Sequence, residues 1–401
     1  MKLFSQVSTV EGSEKYELAI GRKQPLYKKS EDIRSEFSRD YNRILHCNAF
    51  RRLKHKTQVF YATMNDHICT RIEHVHHVES VSRTICDELG LNSELAVAIA
   101  LGHDLGHAPF GHEGEKIISK ISKEKIGKSF WHEKNSLRVV DYIESLPDTN
   151  GVEKPLNLTY AVRDGIISHC GEVDINALKP RSENIDLCKI NEPNEYQPFT
   201  WEGCVVKLAD KIAYLGRDIE DAWRLNVINE NQIIELNDII SKKYAKVTES
   251  VFTTSLMHNF IIDLCDNSSI ESGLKFSDDT YNLMTNIKSF NYKNIYSHPR
   301  IKRYNKYVEL IITTLFDFLI EKYNAENTIN EIKKGCANYP ELCRSFADWL
   351  SKYSIASETQ KNEFNIFDIN DLNQYTDCVL TYLSLMTDQY AMRLFGEITH
   401  F

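Results

Sequence analysis

Apolar residues in this chain recur mostly at spacings of three and four, and strict alternation is scarce, which restricts the fold to packed helices. Val78, Val81, Ile85 and Leu89 form one such stripe. Gly90 follows in the usual C-terminal position, and Asn92 or Ser93 can cap the next helix. That helix carries Leu95, Ala96, Ile99 and Ala100 and must end or bend by Gly106 and Pro109. Pro147, Asp148, Asn150, Gly151 and Pro155 mark a loop over 147–157, and a polar break runs from Lys179 to Pro198. A long helix from Lys306 to Tyr323 places Val308, Leu310, Ile311, Leu315, Phe318 and Leu319 on a broad apolar face. No strand–helix–strand pattern points to a parallel sheet, so the expected class is all-α, mainly helical. Residues 1–30, with Gly21 and Pro25, read as an irregular lead-in, 31–235 as the main body and 236–401 as a helical C-terminal lobe.

Charge narrows the function classes. The chain has 48 Lys+Arg against 57 Asp+Glu, a net charge of −9 over 401 residues. That balance argues against a general nucleic-acid coat or a basic membrane-surface protein. The longest apolar run, Leu95 to Gly102, is far short of the ~20 residues a membrane span needs. The N-terminus is polar within a few residues and shows no secretory signal. Ten cysteines without a Cys-x-x-Cys pair read as reduced, mostly buried thiols. A cytoplasmic location is the expectation. Histidines are unevenly placed: ten of fourteen fall between His46 and His132, and five of sixteen glycines crowd between Gly90 and Gly114. The chemistry is expected there.

Three elements carry it. His74 lies four residues before Val78 and so shares the inward face, with Arg71 one turn away on the same face; taken alone, His74 reads first as a satisfied core histidine. The run from His103 to Glu115 opens with an adjacent His-Asp pair that can offer imidazole nitrogen and carboxylate oxygen to one cation. Such donors suit Mn, Fe, Co, Zn or Mg rather than a thiolate site. His107 and His112 follow in a loop broken by glycine and proline, where backbone can approach a ligand closely. In the third element Asp210, Lys211, Tyr214 and Asp218 fall at about 0°, 100°, 40° and 80° around a helix, within one arc. A solvated amphipathic face is the bland alternative for that arc.

The ordered pattern Arg71-x-x-His74, His103-Asp104, Asp210 is similar to the His…His-Asp…Asp pattern of the HD superfamily of metal-dependent phosphohydrolases. Within it, the segments Arg39–Leu45, Asn48–Leu53, Lys56–Phe60 and Gly102–His112 resemble the dGTPase-type deoxynucleoside triphosphate triphosphohydrolases. Leu156–Tyr160 and Met386–Ala391 resemble that family more weakly. The resemblance implies an HD-domain fold over 31–235, with the C-terminal lobe contributing to the substrate pocket and to assembly. It also implies cleavage of a deoxynucleoside triphosphate, dGTP or several dNTPs, into deoxynucleoside and inorganic triphosphate.

Carried over by position, His74, His103, Asp104 and Asp210 would hold a divalent metal, Mg²⁺ or Mn²⁺, with Fe²⁺, Co²⁺ and Zn²⁺ as alternatives. His112 would protonate the leaving 5′ oxygen, supported by Glu115, while His107 and His132 would donate to non-bridging phosphate oxygens. Arg71, Lys211 and Lys288 would bind the triphosphate. Tyr214 would pack against C2′ of the sugar, Asp218 and Gln58 would bond its 3′-hydroxyl, and Tyr296 would lie near sugar or base.

The resemblance further implies a homo-oligomer, tetramer or hexamer, with a regulatory dNTP or single-stranded DNA as further partners. The cluster Arg51, Arg52, Lys54, His55 and Lys56 reads either as an electropositive patch or as a solvated basic face. Two other readings compete: a different HD nucleotidase or phosphodiesterase, and a catalytically silent nucleotide or single-stranded DNA binder. The Tyr214–Asp218 pair disfavours the first of these, and the intact His74, His103, Asp104, His112 and Asp210 disfavour the second.

Overall fold

Helices form where local chemistry closes their ends. Thr70 and Glu73 make a capping box at the start of the Arg71–Leu89 helix, and Gly90 ends it at φ +85. Asn92 caps the Ser93–Gly102 helix by accepting from the amides of Glu94 and Leu95 at 3.1 and 3.3 Å. The computed structural model describes residues 2–27, 32–61, 65–170, 175–244, 252–354 and 365–400. Among them are seventeen α-helices and one two-stranded sheet, so the chain is all-α. No helix there is long and apolar enough to cross a membrane.

The chain divides into two compact units that interleave in sequence. The first takes Met1–His46, Thr63–Asp104 and Asn157–Lys302. Its centre is the Ser93–Gly102 helix, on which Leu95 through Gly102 are all buried. The helices Arg71–Leu89, Glu36–His46, Tyr160–Ser168 and Trp201–Arg224 pack on it. Each fully buried Leu or Ile contributes about 1.5–3 kcal/mol. Two glycines let the Tyr160–Ser168 helix come close. A Cβ on Gly102 would sit 2.6 Å from Ile166, and one on Gly165 would sit 2.6 Å from Ile99. Close packing of these helices holds the ends from which the site is built.

The second unit takes Cys47–Ala62, Leu105–Leu156 and Arg303–Phe401. In it the Gly111–Ile126 helix packs on Leu372–Ser384, and Pro340–Tyr353 packs on Thr328–Gly335 and Asp388–Thr399.

Three expectations change. The 147–157 loop is flanked by a hairpin, Ser145–Pro147 against Glu153–Pro155. Asp148 Oδ1 accepts from the amides of Asn150 and Val152 and closes it. The long C-terminal helix runs Pro299–Ile320 and buries Ile312 and Phe316 with Val308, Ile311, Leu315 and Leu319; Leu310 is 54% exposed. The expected face lay rotated toward the Leu310–Phe318 flank and so left out Ile312 and Phe316 on the other side of the stripe. The basic cluster also shrinks: Lys56 is buried, donating to the carbonyls of His107 and Ser384, and Arg52 pairs with Glu144 at 2.7 Å. Arg51, Lys54 and His55 remain exposed. All ten cysteines are free thiols.

Candidate active site

Three helices of the first unit bring the cation donors together. His74 sits in the second turn of the Arg71–Leu89 helix, His103 and Asp104 follow the Ser93–Gly102 helix, and Asp210 lies on the Trp201–Arg224 helix. One ligand atom each from His74, His103 and Asp210 falls within 4.8 Å of the others. His103 Nδ1 bonds the Ala100 carbonyl at 2.7 Å, which turns Nε2 toward Asp104 Oδ1 at 3.4 Å. A backbone bond to one ring nitrogen is the usual device for aiming the other at a metal. His74 Nε2 meets Asp210 Oδ1 at 2.9 Å. Burial pushes the Asp210 carboxyl up, but the bond and charge of His74 and the charges of His103 and His169 outweigh it and hold it at about 2. Asp210 is therefore a carboxylate at every neutral pH. Buried imidazoles with a carboxylate fit a divalent cation of the Mg, Mn, Fe, Co or Zn kind.

Arg71 lies 1% exposed beside this cluster, its Nη1 donating to Asp104 Oδ2 at 2.8 Å. Its Nε and Nη2 are buried with no hydrogen-bond partner among the described residues. A buried donor left unmade costs about 1–3 kcal/mol, and more when charged. A guanidinium edge in that state can take an anion with paired oxygens. Lys211, next to Asp210, is buried with its ammonium 5.7 Å from the Tyr281 ring centroid. Lys288 stands half-buried two turns beyond Tyr281 on the Asp278–Asn291 helix.

Further along the Trp201–Arg224 helix, Asp218 is buried and accepts the Tyr296 hydroxyl at 2.5 Å. Half-buried Tyr214 sits one turn before it. Burial pushes the Asp218 carboxyl up to about 7, the Tyr296 bond opposing and Asp221 reinforcing the shift. That value lies above the unfolded carboxyl, near 3.9. The fold then binds an extra proton between about pH 4 and 7, so stability is lost as pH rises through that window. Asn at 218 carries no charge and keeps an acceptor for Tyr296. Asp218→Asn is expected to raise Tm at pH 8, with a gain that shrinks by more than half at pH 5. Thermal denaturation in EDTA at both pH values checks it; a pH-independent change would contradict it.

The second unit carries the other histidines. His107 and His132 stack with ring centroids 3.8 Å apart, and His112 lies 5.5 Å from His107. Glu115 is their shared anion. Its Oε2 is 3.0 Å from His132 Nδ1 and 3.9 Å from both His107 and His112, and its Oε1 accepts the His132 amide at 3.1 Å. Its short bonds thus go to His132, with His112 at ion-pair range. Burial raises the Glu115 carboxyl, but the charge and bonds of His132 and the charge of His112 hold it at about 2. The His112 side chain is 55% exposed, which suits a group that meets an incoming ligand. Gln58 is half-buried, and its Oε1 has no partner among the described residues.

His169 was missed by sequence reasoning. It ends the Tyr160–Ser168 helix, bonds the Ile166 carbonyl through Nδ1 at 2.6 Å, and stands with its ring 4.8 Å from that of His103. Its position repeats the His103 device. The only signal was an apolar helix ending in histidine, which any core histidine shares.

Two family models match the chain: the HD domain over residues 71–215 and the phosphohydrolase-associated domain over 274–351. The first spans the Arg71, His74, His103, Asp104 and Asp210 positions. Curated relatives described as deoxyguanosinetriphosphate triphosphohydrolase-like proteins align over most of the chain. One from Desulfatibacillum aliphaticivorans is 37% identical over 76% of this chain and 78% of its own. One from Caldanaerobacter subterraneus is 35% identical over 84% and 90%. One from Rickettsia bellii is 31% identical over 91% and 92%.

Proposed function

Because the chain belongs to the HD-domain family of deoxyguanosinetriphosphate triphosphohydrolase-like proteins, we propose that it hydrolyses a deoxynucleoside triphosphate to deoxynucleoside and inorganic triphosphate. The orphaned Nε and Nη2 of Arg71 beside the His74–His103–Asp210 cluster carry this reading. A cation cluster beside an unpaired guanidinium edge is a place for a phosphate chain.

In this reading His74, His103, Asp104 and Asp210 hold a divalent cation, Mg²⁺ or Mn²⁺. When bound, it would polarise a phosphoryl oxygen and acidify a water. Arg71 takes non-bridging oxygens in a paired grip, and Lys211 and Lys288 add charge along the triphosphate. Tyr214 packs on the sugar face, where a 2′-hydroxyl would collide. Asp218, with Gln58, receives the 3′-hydroxyl, and Tyr296, already bonded to Asp218, sets the orientation of that carboxyl. His112 gives a proton to the 5′ oxygen as it leaves, an alkoxide too basic to depart unaided. His107 and His132 donate to phosphate oxygens, and Glu115 keeps His132 oriented through a bond of 3.0 Å. The family resemblance adds assembly as a tetramer or hexamer and work in the cytoplasm.

The test incubates the protein with each dNTP and with GTP, in Mg²⁺ or Mn²⁺, and resolves products by ion-exchange chromatography. Inorganic triphosphate with deoxynucleoside, and little turnover of GTP, is expected. Pyrophosphate or monophosphate as the first product contradicts the reading, as does binding without turnover under either metal.

A further inference from the structure

The stretch Met386–Ala391 has so far no part in the chemistry, yet it carries a buried acid. Asp388 is 1% exposed at the start of the Asp388–Thr399 helix, just after the Thr387 cap. Its Oδ1 accepts the Phe110 amide at 2.8 Å. Its Oδ2 accepts the Thr57 hydroxyl at 2.5 Å and the Thr57 amide at 3.2 Å. Three donors from two distant segments satisfy one buried carboxylate, as burial of that charge requires.

Both segments matter to the proposed reaction. Phe110 has φ +62, a left-handed conformation that a side chain as large as Phe avoids. It starts the Gly111–Ile126 helix, whose first turn carries His112 and whose next turn begins with Glu115. Such a turn persists only where the surroundings over-determine it. Thr57 stands next to Gln58. Around the same point Lys56 donates to the carbonyls of His107 and Ser384, and Asn135 donates to the Gly106 carbonyl and the Ser384 hydroxyl. The segments 56–58, 106–112 and 384–388 are thus joined by side chains rather than by secondary structure.

We propose that Asp388 is a positioning residue: it locks the Phe110 turn that aims His112 and, through Thr57, fixes Gln58 beside it. The proposal rests on the reading of His112 as acid and Gln58 as sugar contact. Displacing such groups by about an ångström costs on the order of 100-fold in rate.

Asp388→Asn tests it. Asn can keep the Phe110 bond through its oxygen, but its amide nitrogen then faces the two donors of Thr57. We expect kcat to fall about 10- to 100-fold, the alkaline limb of the kcat–pH profile to shift, and KM for the dNTP to rise. Amide hydrogen exchange is expected to speed up in peptides covering 57–58 and 109–112. Thr57→Val, which loses the hydroxyl donor, should move the same readouts, while Thr57→Ser restores them. Asp371→Asn, altering an exposed cap of the Leu372–Ser384 helix, should move none. Unchanged exchange at 109–112 in both Asp388→Asn and Thr57→Val overturns the proposal, as does a rate loss that only tracks the unfolded fraction. If the wild-type protein turned over no dNTP, the functional reading would fail, and the exchange data would still decide the clamp.

Discussion

Asp210→Ala is expected to abolish cation binding and hydrolysis together, lowering kcat at least about 10³-fold. The carboxylate is one of four proposed ligands, held ionised by the His74 bond at 2.9 Å. Even residues that merely orient metal ligands cost about 10- to 100-fold when changed, and a direct ligand costs more. Titration calorimetry with Mn²⁺ and elemental analysis of the purified variant read the binding, and triphosphate release reads the rate. The carboxyl also stabilises the fold. Its folded value, about 2, lies below the usual 3.8. That contribution is present above about pH 4 and is lost as pH falls through about 2. The comparison therefore belongs at pH 7 to 8 with folding checked by circular dichroism. A variant that keeps both metal and rate would remove Asp210 from the site.

His112→Ala has the opposite signature: metal retained, kcat lowered about 10²- to 10⁴-fold, the range for loss of a general acid. The 55% exposure of the His112 side chain predicts little cost in stability. Loss of the acid should also erase the alkaline limb of the kcat–pH profile. A diester with a p-nitrophenolate leaving group, which departs without a proton, should show a much smaller deficit. Equal deficits for dNTP and p-nitrophenyl substrates would mean that His112 binds or orients rather than protonates.

The helices and their caps were legible because their causes are local. Asn92 takes the cap from Ser93 since its carbonyl reaches two amides within three residues. Spacing likewise put His74 inward, and it is 3% exposed. Leu310 misled because apolar residues on both flanks of a helix leave open which flank the fold covers. The interleaving of the two compact units leaves no mark in a linear pattern. Nor do bonds between distant residues: Arg71 to Asp104, Tyr296 to Asp218, and Asp388 to Thr57 and Phe110 join side chains that only the fold brings together. Lys56 looked like surface charge because it is held by donating to backbone carbonyls, and carbonyls have no sequence signature. His169 needed its neighbour His103 before it meant anything.

The central claim is that water attacks the α-phosphorus and the deoxynucleoside leaves with its own 5′ oxygen. Hydrolysis of the preferred dNTP in H₂¹⁸O, followed by ³¹P NMR of the products, tests it most directly. One ¹⁸O is expected on a terminal phosphorus of intact triphosphate and none in the deoxynucleoside. Label in pyrophosphate or orthophosphate, or in the 5′-hydroxyl, would contradict it.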